Sequence, residues 1–201
     1  AKRLKVEYLQ RTPYERTLFL DTDTYICCDV SELFDLLDAF DLAMAHAPNR
    51  LYFAEGAYPS DIPESFPEFN TGVLVYQSQR DTTRSLLATW KSLYTEMKQL
   101  GADRDQISFR EALYESDLSF TTLTPEYNCR FSFPVFLDGY AKILHARHPD
   151  MKFAETVVNY TAERRTLQPW MFETTITGRF RKLYRHLKSK LQSFMLPWIN
   201  D

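Results

Sequence analysis

Cysteine is scarce, with Cys27, Cys28 and Cys129 the only three among 201 residues. Three thiols cannot all pair, and their spacing matches neither a zinc knuckle nor a Cys-x-x-Cys redox pair, so a disulfide-stapled scaffold is excluded and reduced, cytosol-facing thiols are expected. Long apolar runs are missing too. No window approaches the length of a membrane-spanning helix, and the charged start Ala1-Lys2-Arg3-Leu4-Lys5 leads into no apolar signal core. Neither a bilayer span nor a secretion signal of its own is read here, and a cytoplasmic location is expected. Internal repeats and low-complexity tracts are also absent, which excludes solenoid and fibrous designs.

What is present is enough apolar content, 44%, to build the core of a single domain. The net charge is only −3, unevenly spread. Six Lys/Arg and no acid fall between Arg179 and Lys190, leaving 18 of the 24 basic residues against 26 acidic ones ahead of Asp201. A body of about −8 with a cationic tail argues against a nucleic-acid partner, which needs a broader basic surface. In the tail, Phe180, Leu183, Tyr184, Leu187, Leu191, Phe194, Met195 and Trp198 form one helical stripe. With its basic flanks that helix suits either an interfacial role on anionic lipid, hence a peripheral membrane contact, or the closing of a core.

The pattern along the chain predicts strands alternating with helices, hence an α/β layered fold. Leu4, Tyr8 and Leu9 recur at helical spacing until Thr12-Pro13 stops them. Apolar strands are expected at 17–20, 41–45 and 72–76, with shorter ones at 121–123 and 142–146. Ser31 reads as the N-cap of an amphipathic helix carrying Leu33, Phe34, Leu36, Leu37 and Phe40. A long helix over 81–100 turns Leu86, Leu87, Trp90, Leu93, Tyr94 and Met97 inward, and a second spans 105–114. The proline-rich stretch 47–68 reads as a long irregular loop, of the kind that serves as a lid or a substrate surface.

The run Thr17-Leu18-Phe19-Leu20-Asp21-Thr22-Asp23-Thr24 carries the most chemistry. Continuous apolar residues predict a sheet-core strand, and α/β proteins bind ligands beyond the carboxyl ends of such strands. Asp21 and Asp23 there can converge on one hard divalent cation, Mn²⁺ or Mg²⁺, which keeps positions open for substrate phosphates. The plainer alternative is that they only form a turn or cap a helix.

Four further segments follow in order: Phe69-Asn70-Thr71-Gly72-Val73, Asp105-Gln106, Tyr127-Asn128 and Leu144-His145-Ala146-Arg147-His148. With Lys5 upstream of the aspartates, the ordered set resembles the glycosyltransferases of family 8, the glycogenin-like nucleotide-diphospho-sugar transferases of GT-A fold, from Lys5 to about Arg147. The resemblance implies a GT-A-like mixed sheet flanked by helices over residues 1–170, incomplete at its N-terminal nucleotide-binding part, followed by the basic amphipathic helix 171–201. It further implies Asp21, Asp23 and His145 as ligands of a Mn²⁺ or Mg²⁺ bridging the diphosphate of a nucleotide-diphospho-sugar, a UDP-sugar foremost. Lys5 would reach the donor, Asn70, with Thr71, would lie against the donor sugar, and Gly72 would let the backbone approach it. Asp105 and Gln106 would stand beside the anomeric carbon. The acceptor is a glycan, a lipid-linked sugar or a protein, and retention of configuration is the family's habit.

The chemistry agrees with those assignments. Cleaving an anomeric carbon–phosphate bond adds negative charge to the departing diphosphate, which a metal ion with Lys5 and Arg147 would stabilise. An oxocarbenium-like sugar calls for a nearby carboxylate or amide oxygen, and Asp105 and Gln106 suit it. Each also has a structural alternative: a buried, satisfied histidine at 145, a turn at Asn70-Thr71-Gly72, a helix cap at Asp105, surface residues at Arg147 and His148. Two departures stand out. The family follows its histidine with a glycine and a lysine before Pro-Trp, whereas this chain has Ala146-Arg147-His148-Pro149, and the family's nucleotide-binding half precedes the lysine. Two rival functions remain. One is a haloacid-dehalogenase-like Mg²⁺ phosphatase with Asp21 as nucleophile and Asp23 as acid/base, which requires a later strand ending in an acidic pair. The other is a catalytically inactive, transferase-like binding protein.

Overall fold

The structure, a computed structural model, describes residues 2–49, 61–101 and 104–172, with side chains from Lys5 onward. The helical stripe expected at 180–198 and much of the loop expected at 47–68 lie outside the described residues. Among those described, the chain runs α1 (Lys2–Leu9), β1 (Arg16–Leu20), β2 (Thr24–Ile26), a 3₁₀ segment (Ser31–Asp38), β3 (Leu42–His46), β4 (Phe69–Gln77), α2 (Asp81–Gln99), α3 (Asp105–Tyr114), β5 (Phe120–Thr122), a 3₁₀ turn (Pro125–Tyr127), β6 (Val135–Leu137), β7 (Ile143–His145), α4 (Met151–Val158), β8 (Arg165–Leu167) and a last 3₁₀ turn (Pro169–Phe172).

One four-stranded mixed sheet, ordered β1-β4-β3-β5, organises the fold; only β3 and β5 run parallel. All nine residues of β4 are buried. Its side chains divide by strand periodicity. Leu74 and Tyr76 pack with Val6, Leu9, Trp90 and Phe109 under α1, α2 and α3, while Val73 and Val75 pack with Leu33, Leu37, Ala43 and Ile143 on the other face. Burying each such side chain contributes about 1.5–3 kcal/mol, so β4 is the keel of the domain. A third cluster, built on Cys129, Phe131, Leu144, Ala154 and Leu167, lies under α4. There Phe172 packs against Phe131 at 4.8 Å between ring centroids.

The ladder between β3 and β4 contains the feature that makes the site. Met44 pairs with Leu74, but the next residue, Ala45, pairs with Asn70. Thr71, Gly72 and Val73 therefore leave β3, while β1 still holds Val73 through Leu20 and Gly72 through Asp21. A bulge of this kind re-aims side chains within a strand. Asn70, Thr71 and Gly72 are thus inside a central strand rather than in a turn before it.

Several expectations need correction. β1 is an edge strand whose residues after the exposed Arg16 are half-buried, rather than a sheet-core strand. Its run is apolar throughout because Phe19 faces the helical layer and Leu18 and Leu20 face the opposite one. Ser31 caps nothing: it lies inside a 3₁₀ segment preceded by Val30, and its hydroxyl and amide engage Asp29 at 3.1 and 2.9 Å. Among the α1 residues whose side chains are described, Val6 and Leu9 are buried while Tyr8 is exposed, because the helix is rotated to bring Lys5 inward and to let Leu9 accept a hydrogen bond from the Tyr76 hydroxyl. β6 and β8, which pair with each other, are not among the expected strands, because three-residue strands are too short to show a period. The three cysteines are free thiols, and burial pushes those of Cys27 and Cys129 up to about 12. No helix among the described residues is long and apolar enough to cross a membrane.

Candidate functional site

β1 ends at Leu20, and the Asp21 amide donates to the Gly72 carbonyl at 2.8 Å. The chain then turns sharply, since the Thr24 amide and hydroxyl both donate back to the Asp21 carbonyl, at 3.1 and 2.8 Å. β2 starts at Thr24, directly opposite His145 on β7, and the Ala146 amide donates to the Asp23 carbonyl at 3.1 Å. The Asp-Thr-Asp turn is therefore clamped by a ladder on each side, and register alone brings His145 to the two carboxylates. His145 Nε2 is 3.4 Å from Asp23 Oδ1 and 3.9 Å from Asp21 Oδ2, and one ligand atom from each residue lies within 4.8 Å of the others.

Gly72 is the floor of this cluster. A Cβ there would stand 2.1 Å from His145 Cε1 and 2.8 Å from both His145 Nε2 and Asp21 Oδ2. The close approach that needs glycine is that of two candidate metal ligands.

The histidine is oriented by a chain of hydrogen bonds that starts at a backbone amide. Gly72 N–H can only donate, and it donates to Asn70 Oδ1 at 3.0 Å; Asn128 Nδ2 donates to the same oxygen at 2.9 Å. Asn128 must then present Oδ1 to the imidazole, 2.8 Å from His145 Nδ1, which places the proton on Nδ1. Nε2 keeps its lone pair, as it must, because Arg130 Nη1 lies 3.0 Å away and a guanidinium has only protons to offer. His145 is 1% exposed. Burial, then the positive charge of Arg130, pushes its pKa down to about 4 against the pull of Asp23, so the imidazole is held neutral, the form that can coordinate a cation. Two oxygens and an imidazole nitrogen, preoriented and next to a glycine cradle, fit a divalent ion such as Mn²⁺.

A second polar group adjoins the first. The Lys5 ammonium lies 3.1 Å from Asp21 Oδ1 and 3.3 Å from Asp105 Oδ2, and donates to Thr71 Oγ1 at 3.0 Å; Thr71 in turn donates to Asp105 Oδ2 at 2.9 Å. Burial raises the Asp21 pKa, Lys5 opposes the rise, and the neighbouring Asp105 and Asp23 add to it. Asp105 is buried in the first turn of α3, where its backbone carbonyl accepts from Trp90 Nε1 at 3.1 Å. Arg104 holds the N-cap position, with no side-chain bond to the helix amides, so Asp105 faces the site instead of serving as a cap. Gln106 is half-buried and borders a cleft with Asn70, Arg104, Arg130 and Phe133. Arg147 is exposed and borders a different, more open cleft beside Asp23 and Thr24.

The structure thus gathers Lys5, Asp21, Asp23, Thr71, Gly72, Asp105 and His145 into one connected group, with Asn70 behind it and Gln106 at the adjoining cleft; Arg147 lies to the outside. Arg130 was missed from the sequence. Its only sequence signal is a place two residues after Asn128, in a segment whose Cys129 bridges to Leu144 and so sets Arg130 beside His145.

No protein-family profile matches the chain, and no curated protein sequence does. Solved structures do. A galactosyltransferase LgtC in complex with donor and acceptor sugar analogs is 13% identical, over 74% of this chain and 58% of the other, with a TM-score of 0.51. Mouse xyloside xylosyltransferase 1 is 22% identical over 72% and 62%, with a TM-score of 0.49. The glycosyltransferase GlyE of Streptococcus pneumoniae is 20% identical over 73% and 37%, with a TM-score of 0.48. The chain thus spans less than two thirds of each of these proteins. The mixed sheet and its flanking helices are those of a GT-A-like glycosyltransferase fold.

Proposed function

We propose that this chain transfers a glycosyl group from a nucleotide-diphospho-sugar, a UDP-sugar foremost, to an acceptor, in the manner of family 8 enzymes, with Mn²⁺ held by Asp21, Asp23 and His145. One observation carries the reading: in a GT-A-like fold, the ends of β1 and β7 bring two carboxylates and a neutral imidazole within 4.8 Å of one another. Mn²⁺ is preferred to Mg²⁺ because one ligand is nitrogen. The bound ion supplies positive charge to a departing diphosphate.

The remaining chemistry belongs to side chains of this chain. Lys5 holds the Asp21 and Asp105 carboxylates in one place despite their like charge. In this reading Asp105, fixed by Lys5 and Thr71, and Gln106, at the neighbouring cleft, supply the negative charge and amide oxygen that stabilise a developing oxocarbenium ion. In this reading Asn70 serves doubly: it borders the cleft assigned to the donor sugar and holds Asn128 behind the histidine. The phosphatase alternative loses ground, because the late strands β5 to β8 end at Thr122, Leu137, His145 and Leu167, none in an acidic pair.

The test is incubation with a panel of UDP-sugars and, separately, a phosphate monoester, each with Mn²⁺ and with chelator, following UDP and inorganic phosphate release. Metal-dependent UDP release from at least one sugar nucleotide is expected. Phosphate release from the monoester without UDP release from any donor would replace this reading with the phosphatase.

A further inference from the structure

The imidazole nitrogen aimed at the two aspartates is already engaged. His145 Nδ1 carries the proton given to Asn128, so Nε2 has a single lone pair, and Arg130 Nη1 donates to it at 3.0 Å. A cation ligated by His145 and a hydrogen bond from Arg130 cannot share that lone pair. Arg130 is otherwise little committed. Its Nε is buried without a hydrogen-bond partner, its guanidinium lies 5.7 Å from the centre of the Phe133 ring, and it borders the cleft shared with Asn70, Arg104 and Gln106. Burial lowers its pKa, against the pull of Asp23 and Asp21, the two acids nearest in charge.

We infer that Arg130 exchanges partners during donor binding: it releases His145 Nε2 to the divalent ion and turns its guanidinium onto the diphosphate, so that metal and donor bind as a coupled pair. The inference rests on the metal-and-diphosphate reading of this site. Its physical basis is charge. Metal alone costs the Arg130–His145 hydrogen bond and sets two cations side by side. A diphosphate relieves both, because its oxygens accept the planar guanidinium fork while they neutralise the ion. Arg130 thereby takes the phosphate-facing role that the sequence leaves vacant at Ala146-Arg147, where the arginine is exposed.

Calorimetry of Mn²⁺ alone, and of UDP in saturating Mn²⁺, on the wild-type protein and on Arg130→Met tests it. Removing the competitor should tighten Mn²⁺ alone about fivefold, since a hydrogen bond from a charged donor is lost from the competing state. The same change should weaken UDP about tenfold or more. By linkage, the factor by which UDP tightens Mn²⁺ must shrink with it. Mn²⁺ affinity that is unchanged or weaker in Arg130→Met, or UDP affinity that is unchanged, overturns the inference. A wild-type protein that takes up neither Mn²⁺ nor UDP overturns instead the reading beneath it. Should Arg130→Met not fold, the wild-type Arg130 Nε–H resonance gives the answer without a variant: it shifts on addition of Mg²⁺ and UDP if the guanidinium moves, and stays in place if it does not.

Discussion

Two cations stand near Asp21, and their surroundings differ in kind. Lys5, with 11% of its side chain exposed, reaches Asp21, Asp105 and Thr71, all within 3.3 Å by at least one oxygen each. Arg130 touches one nitrogen of His145 and leaves its Nε without a partner. Equal formal charge therefore means unequal availability. The lysine is saturated by carboxylates and holds the site together, whereas the arginine has donors to spare and is the one that can answer an incoming anion. Counting basic residues near a site would not separate the two; counting their acceptors does.

The largest effect should come from the floor that both flanks share. Gly72→Ala drives a methyl into His145 and Asp21, and Mn²⁺ affinity should fall about 100-fold or more as the ligands are pushed apart. The overpacking should also lower the melting temperature by about 5 °C. Near-normal metal binding in calorimetry would show that the cluster is not the binding site.

Asn128→Leu strikes the arginine flank, because it leaves His145 Nδ1–H without its acceptor and Asn70 Oδ1 with only the Gly72 amide. A loss of about 10- to 100-fold in Mn²⁺ affinity is expected. Asn70→Asp, which keeps an oxygen for Gly72 and Asn128, should lose much less. Equal losses in the two variants would argue that Asn128 acts only by packing.

Lys5→Met strikes the other flank and should show mainly in stability. Asp21 and Asp105 would then share a region with no cation between them, costing about 2 kcal/mol, reduced from the value for a fully buried pair because Asp21 is about one third exposed. That corresponds to a fall of about 4–8 °C in the melting temperature. Adding Asp105→Asn should restore part of it; a double variant no more stable than Lys5→Met would deny that Lys5 acts by separating charges. Smallest of all, Arg147→Ala should change UDP affinity less than about threefold, because an exposed arginine is screened by solvent.

Much of this arrangement was visible in the residues. The inner stripe of α2 shows the helical period plainly, and Leu86, Leu87, Trp90, Tyr94 and Met97 are all buried. Asp21 and Asp23 could be singled out because an apolar run leads straight into them, and His145 because its place after Tyr127-Asn128 resembles the order of family 8 motifs. What composition and period could not reveal was pairing. That β1 lies at an edge, that β4 slips three residues past β3, and that β2 faces β7 are facts of long-range register, which leaves no local signature. The same limit hid Arg130 and the role of Asn128, since both depend on contacts made across the fold to one histidine. Ser31 misled because a good capping residue in a 3₁₀ segment meets a different hydrogen-bond geometry from that of an α-helix.

The central claim is that Asp21, Asp23 and His145 grip one divalent ion. Its most direct test is a calorimetric titration of the wild-type protein and of His145→Ala with Mn²⁺ in the presence of UDP. One ion per chain, lost in the variant while the melting temperature stays within a few degrees, is the predicted result. Binding of equal strength in both proteins, or none in the wild type, would contradict it.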